Sequence, residues 1–174
     1  VSTILAVRTT RRVHVLSDSA VFSGDHIVVS KGIKCVQVHG NIFATAGNLA
    51  ATQVGQRLFR KLRSSYWTGA DSVHDFVQNW RECMQKTDML DRDPNSHGEA
   101  LIAYGRKMWI IDTDGCYMEP DENVSAIGDA AFGLGALTAL IDRRESPQRA
   151  LEKAMSVQHR HSASCRPPYV YLAT

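Results

Sequence analysis

The sequence has little of what several specialised protein classes require. No apolar run approaches the roughly 20 residues of a membrane-spanning helix, and the first residues carry no charged stretch leading into an apolar segment, so neither a span nor a secretory leader is expected. Charge of one sign is missing too. Twenty Lys and Arg against 18 Asp and Glu leave a formal net charge of +2, with no basic stripe of the kind that tracks nucleic acid. Cysteine is sparse: Cys35, Cys83, Cys116 and Cys165 form no C-x-x-C pair and are expected to be reduced, mostly buried thiols. Nucleotide motifs are absent as well. There is no G-x-x-x-x-G-K-[ST], and Gly133-Leu134-Gly135 lacks the third glycine and the preceding strand of a dinucleotide site, which leaves close helix packing as its role. No G-x-S-x-G marks a serine-hydrolase elbow. His159-Arg160-His161 has no third ligand and the wrong spacing for one helix face, so no metal is expected there. These absences predict a cytoplasmic protein that uses no cofactor, nucleic acid or membrane.

What is present suits one globular domain spanning residues 1–174, with 44% hydrophobic and 22% charged residues. Ser2 to Arg8 and Val13 to Asp18 read as an antiparallel hairpin, and 34–38 and 41–46 as another, turning at His39-Gly40. From Asn48 the period changes to a helix with Ala51, Val54, Leu58 and Leu62 on one face. Ser72-x-x-Asp75 resembles a capping-box start for a second helix, with Val73, Phe76, Val77, Trp80 and Met84 as its stripe. Residues 86–98 lose the stripe and are expected to form a long exposed loop carrying Asp88, Asp91 and Asp93. A further hairpin follows around Gly105-Arg106, then short strands at 116–118 and 124–127. Residues 130–141 are apolar nearly all round, as in a helix covered on more than one side. Ser146-Pro147 opens a last helix with Ala150, Leu151, Ala154 and Met155 inward, before a final strand at 169–172. Runs of hairpins with helices in sequential pairs predict an α+β fold: two sheets face to face, each covered by a helix pair.

Chemistry points to the N-terminus. Ser2, Asp18 and Lys34 stand at successive strand ends, sixteen residues apart each time, and a hairpin sheet can bring them to one edge. A buried lysine beside a hydroxyl favours its ionised form, and a carboxylate fixes that lysine. The missing base is supplied by a free α-amine on the nucleophile's own residue, with a reference pKa of about 7.7–8.0.

The opening S-T-I-L-A-V-R, S-D-S at 17–19, K-G-I-K at 31–34, A-T-A-G at 44–47, N-W-R at 79–81, A-L-I-A-Y, S-A-I-G at 125–128 and A-L-E-K-A at 150–154 follow one another over essentially the whole chain. In this order they resemble the bacterial HslV peptidases and proteasome β-subunits, with the betaproteobacterial proteasome homologue as the most similar branch. The resemblance implies a four-layer αββα sandwich of the N-terminal nucleophile hydrolase type, and cleavage of peptide bonds in peptides or unfolded proteins. By position, Ser2 matches the catalytic N-terminal threonine, Asp18 and Lys34 the aspartate and lysine, and Gly47 the glycine whose N–H forms the oxyanion hole. It also implies a homo-oligomer of two stacked rings, a dodecamer or tetradecamer, with any AAA+ unfoldase being a separate protein.

Three departures carry further expectations. Serine keeps the hydroxyl but loses the methyl that restrains χ1, so turnover is expected to be slower. Asp129 stands where the family has a serine, and is expected to hold the α-ammonium of Ser2. Val1 precedes Ser2 and makes its nitrogen an amide, so the chain as written is expected to be inactive until Val1 is removed. The 86–98 loop is expected to reach the pore or chamber and disfavour acidic substrates. Two alternatives stand beside the peptidase: a catalytically silent ring-forming scaffold, and an N-terminal nucleophile amidase acting on small amides.

Overall fold

The fold grows from the N-terminal hairpin. In the computed structural model, which describes residues 2–23, 26–29, 34–86 and 98–174, β1 (Thr3–Arg8) pairs antiparallel with β2 (Val13–Ser17), Ile4 opposite Ser17 and Arg8 opposite Val13. β1 is central, and its run Ile4-Leu5-Ala6-Val7 is apolar on both faces because both are covered. Ile4 and Ala6 face the second sheet with Val13 and Val15, while Leu5, Val7 and Leu16 face helices, the period-two alternation of a strand.

The second sheet is a meander of β5 (Cys35–Val38), β6 (Asn41–Ala46), β7 (Glu99–Tyr104), β8 (Lys107–Ile111) and β9 (Tyr117–Met118). β10 (Val124–Gly128) and β11 (Val170–Ala173) return to the first sheet, whose order is β10-β1-β2-β11. Ile42, Ala44, Leu101, Ala103 and Met108 meet Ile4, Ala6, Val13 and Val15 between the sheets. Outside, α1 (Leu49–Phe59) and α2 (Ala70–Gln85) cover the second sheet through Phe43, Phe59, Phe76 and Trp80. α3 (Ala131–Asp142) and α4 (Pro147–His161) cover the first through Leu137, Leu151 and Met155 on Leu5 and Leu16. This is the αββα order expected.

Several local expectations are corrected. β3 (Ala20–Ser23) and β4 (His26–Val29) form a separate two-stranded ribbon with no counterpart in the sequence reading. The buried face of α1 is Ala51, Thr52, Gly55, Gln56 and Phe59, whereas Val54, Leu58 and Leu62 lie at the margin. The aromatic cluster sets that rotation. Phe43 stacks on Phe59 with ring centroids 5.4 Å apart, and a Cβ on Gly55 would meet the Phe43 ring at 2.7 Å. Ser72 is not the cap of α2. Gly69 occupies that place, and the Ser72 hydroxyl accepts from the Thr68 and Gly69 N–H groups, 3.1 and 3.3 Å away.

α3 is not covered on more than one side in the single chain. Gly133 and Leu137 are its buried residues, and Phe132 is 53% exposed. Gly133 does allow close packing, since a Cβ there would lie 3.2 Å from Leu5, but Gly135 faces open space. Ser146 makes no side-chain cap bond, although Pro147 takes the first-turn position. Cys35 and Cys165 are buried, whereas Cys83 is partly exposed and Cys116 exposed, so half of the thiols are buried rather than most. No helix among the described residues is long and apolar enough to cross a membrane. Residues 87–97, most of the expected chamber loop, lie outside the described residues, as does Val1.

Candidate active site

The register of the first sheet builds the site. Because Ile4 faces Ser17, the residue just after β2, Asp18, comes level with Thr3: Asp18 N–H donates to Thr3 O at 3.0 Å, and Thr3 N–H donates to Asp18 Oδ1 at 2.8 Å. Ala20 N–H donates to Oδ2 at 3.0 Å. Lys34, immediately before β5, is held to β6 by its carbonyl, which accepts from Thr45 N–H at 2.8 Å. Its ammonium crosses between the sheets to Asp18 Oδ1 at 2.6 Å. Lys34 and Asp18 thus form a buried ion pair whose carboxylate is further anchored by two backbone donors. Burial pulls the Lys34 ammonium below the ordinary lysine range, opposed by the adjacent Asp18 charge.

Ser2 is 5% exposed at the start of β1, and its carbonyl accepts from Asp129 N–H at 2.8 Å. The neighbouring hydroxyl, on Thr3, donates to Asp129 O at 2.7 Å. Gly128 allows this approach. Its φ is +79°, and a Cβ there would lie 2.0 Å from Ser2 O and 3.0 Å from Ala46 Cβ. Ala46 leads into Gly47, with φ +144°. No acceptor for the Gly47 N–H is found among the described residues. A Cβ on Gly98 would press on Ala46 O and on Gly47 Cα, at 2.4 and 2.9 Å.

Asp129 sits where β10 hands over to α3. Its Oδ2 accepts from the hydroxyls of Ser162 and Ser164, the latter at 2.6 Å, and the two hydroxyls lie 2.6 Å from each other. Its carbonyl also accepts from Gln158 Nε2 at 2.8 Å. The Ser162 and Ser164 hydroxyls hold the Asp129 carboxyl below the usual carboxylate range. Beneath the ion pair, burial followed by the Asp18 charge pushes the Cys165 thiol up to about 11. His159, read from sequence as structural, pairs its Nδ1 with Cys165 O at 2.7 Å.

All five residues singled out in the sequence therefore lie around the first residues of β1. Asp18 and Lys34 pair directly, Asp129 meets Ser2 through the backbone, and Gly47 comes in beside Gly128 through Ala46. Sequence reasoning missed Ser162, Ser164, Gln158 and Gly128. Ser162 and Ser164 follow a helix end in a polar stretch, and no local pattern separates them from an ordinary turn. Away from this site, ligand atoms of Asp112, Asp114 and Cys116 lie within 4.8 Å of one another at the β8–β9 turn, where Asp112 caps the Cys116 N–H.

Two antiparallel sheets packed face to face between helix pairs are the αββα architecture of the proteasome-type fold. No family profile matches the chain. The ATP-dependent protease subunit HslV of Caldanaerobacter subterraneus subsp. tengcongensis is 30% identical over 169 residues, covering 90% of each chain. This chain belongs to the HslV family. Among solved structures, HslV from Trypanosoma brucei superposes with a TM-score of 0.78 at 21% identity over 98% of each chain. The Thiobacillus denitrificans BPH in complex with epoxomicin gives 0.74 at 16% identity, over 99% of this chain and 97% of that one, a likeness of fold.

Proposed function

We propose that the chain is a peptidase subunit whose nucleophile is the Ser2 hydroxyl and whose general base is the Ser2 α-amine. The observation that carries this reading is the buried 2.6 Å Lys34–Asp18 pair beside the start of β1. A cation there favours the ionised form of a nearby hydroxyl, and Asp18 keeps the cation in place. The α-amine, with a reference pKa of about 7.7–8.0, takes the hydroxyl proton near neutral pH. Oγ then attacks the scissile carbonyl, and the Gly47 N–H receives the developing oxyanion, a contribution of about 2.7–4 kcal/mol in comparable sites. The C–N bond breaks as the leaving amine takes the proton back, and water hydrolyses the resulting ester of Ser2. Asp129 holds the α-ammonium between these steps, its own carboxylate kept ionised by Ser162 and Ser164.

The mechanism requires Ser2 to be the first residue. With Val1 attached, the nitrogen is an amide that accepts no proton, and the chain is inactive. The substrates are peptides or unfolded proteins, and residues 1–174 make up one peptidase-type domain, active once Val1 is removed, within a homo-oligomeric ring. Ring formation is supported by the apolar outer face of α3, with Phe132 exposed, and by relatives named as subunits. The ring is a stacked dodecamer or tetradecamer. Those relatives are named ATP-dependent, and this chain has no P-loop, so ATP is used by a separate unfoldase. A cytoplasmic setting suits four cysteines that are all thiols.

Serine in the place of threonine favours one competing reading, a silent scaffold subunit. Both are tested on protein beginning at Ser2, using an inhibitor that bonds to the hydroxyl and the amine of one residue, with fluorogenic peptides and small amides as substrates. Double attachment at Ser2 with peptide turnover supports the peptidase. No attachment supports the scaffold, and turnover of small amides alone supports an amidase.

A further inference from the structure

The peptide N–H of Gly128 lies on the free edge of the first sheet, because β10 is its outermost strand. An edge N–H normally goes to water or to a covering segment. Here it donates to a carboxylate of the other sheet, Glu99 Oε2, at 2.5 Å. Glu99 is the first residue of β7 and stands opposite Ala46 on β6, the residue that leads into Gly47. The next residue after Gly128, Asp129, donates its N–H to Ser2 O. One side chain therefore links the oxyanion end of the second sheet to the turn that carries Ser2 and Asp129.

From this connection we infer that Glu99 is a positioning residue: by accepting the Gly128 N–H across the sheets, it sets the placement of the Asp129 turn, and with it Ser2, relative to Gly47. The inference rests on the peptidase reading above. Glu99 acts through the Gly128 peptide, not on the reacting atoms themselves. It acts because Gly128 has no side chain to wedge it, and among the described residues Glu99 is the acceptor found for its N–H. A hydrogen bond of a backbone donor to a charged acceptor is among the stronger ones a side chain can supply. Its position decides whether amine, hydroxyl and oxyanion donor are together at the distance catalysis needs.

The test uses the assembled protein beginning at Ser2, as wild type, Glu99→Ala and Glu99→Gln. Glutamine retains an acceptor oxygen at the same reach and loses the charge. Glu99→Ala is expected to lower kcat by about 10- to 100-fold with KM within twofold, while Glu99→Gln recovers most of that loss. Amide hydrogen exchange is followed alongside, with Gly128 and Asp129 exchanging faster in Glu99→Ala than in Glu99→Gln. The inference is overturned if Glu99→Ala leaves kcat unchanged, if both variants lose activity equally, or if the loss appears in KM. Exchange settles the point even where wild type cleaves no peptide, an outcome that removes the peptidase reading alone. Faster exchange confined to Glu99→Ala then still supports the cross-sheet tie, and unchanged exchange overturns it.

Discussion

Lys34 Nζ lies 2.6 Å from Asp18 Oδ1, with 6% and 0% of the two side chains exposed, although one residue comes from each sheet. The pair costs desolvation on both sides, and two backbone N–H groups on the carboxylate offset part of it. Removing Asp18 strands the cation and both backbone donors together. Asp18→Ala is therefore expected to lower stability by about 3–5 kcal/mol and to abolish turnover, read from urea unfolding and peptide cleavage. Lys34→Ala should cost less stability, because the carboxylate keeps its two amide partners, yet lose activity equally.

Restoring the methyl at the nucleophile should help. Ser2 has three staggered χ1 wells where threonine is restricted, so Ser2→Thr is expected to raise kcat by about threefold. Single-turnover measurement of ester formation checks this. A slower variant would mean that the methyl clashes with the Gly128 turn.

Gly128 cannot carry a side chain. Its φ of +79° disfavours one, and a Cβ would sit 2.0 Å from Ser2 O, a backbone atom that cannot move without disturbing β1. Gly128→Ala is expected to cost about 1–3 kcal/mol or more and to remove activity even in protein that remains folded, as judged by circular dichroism.

Alkaline pH should weaken the fold through Cys165. The thiol titrates near 9.0 when unfolded and near 11 when folded, so between these values the native state binds more protons and stability falls as pH rises. Cys165→Ala is expected to flatten the slope of unfolding free energy across that window. An unchanged slope would show that Cys165 titrates normally in the folded chain.

At the acid end, the Ser162 and Ser164 hydroxyls hold the Asp129 carboxyl below its ordinary 3.8. Their contribution is present above that value and is lost as pH falls through the lower folded value. The Ser162→Ala, Ser164→Ala double variant should lose stability at neutral pH and show a shallower decline in acid. Carboxyl NMR of Asp129 should show its titration moving upward.

Much of this was legible along the chain. The hairpins at 3–17, 35–46 and 99–111 follow from alternation and turn residues, and the stripes of α2 and α4 from 3.6-residue spacing. The Phe43–Phe59–Phe76–Trp80 cluster was not, and it rotated α1 away from the face that its aliphatic residues suggested. The β3–β4 ribbon was missed although its sequence signal is present: the runs Ala20–Ser23 and His26–Val29 are separated by Gly24-Asp25, a dipeptide of the two-residue hairpin type. Ser72 looked like a cap because the bond it makes reaches backward from N3, with the same residue type as a true N-cap.

The sequence alone determined that two sheets would pack between helix pairs, since strand and helix periods and short connections allow few other ways to bury those stripes. It also determined which residues carry hydroxyl, amine, ammonium and carboxylate, because these are chemical identities rather than positions. Only the tertiary structure decided which of them meet. Lys34 reaches Asp18, Glu99 reaches Gly128, and Ser162 and Ser164 reach Asp129 through contacts between distant segments, made when sheet faces a sheet and a helix end folds back on a turn. Distances across a packed interface depend on side-chain volumes in every layer, and no local pattern in the chain encodes them.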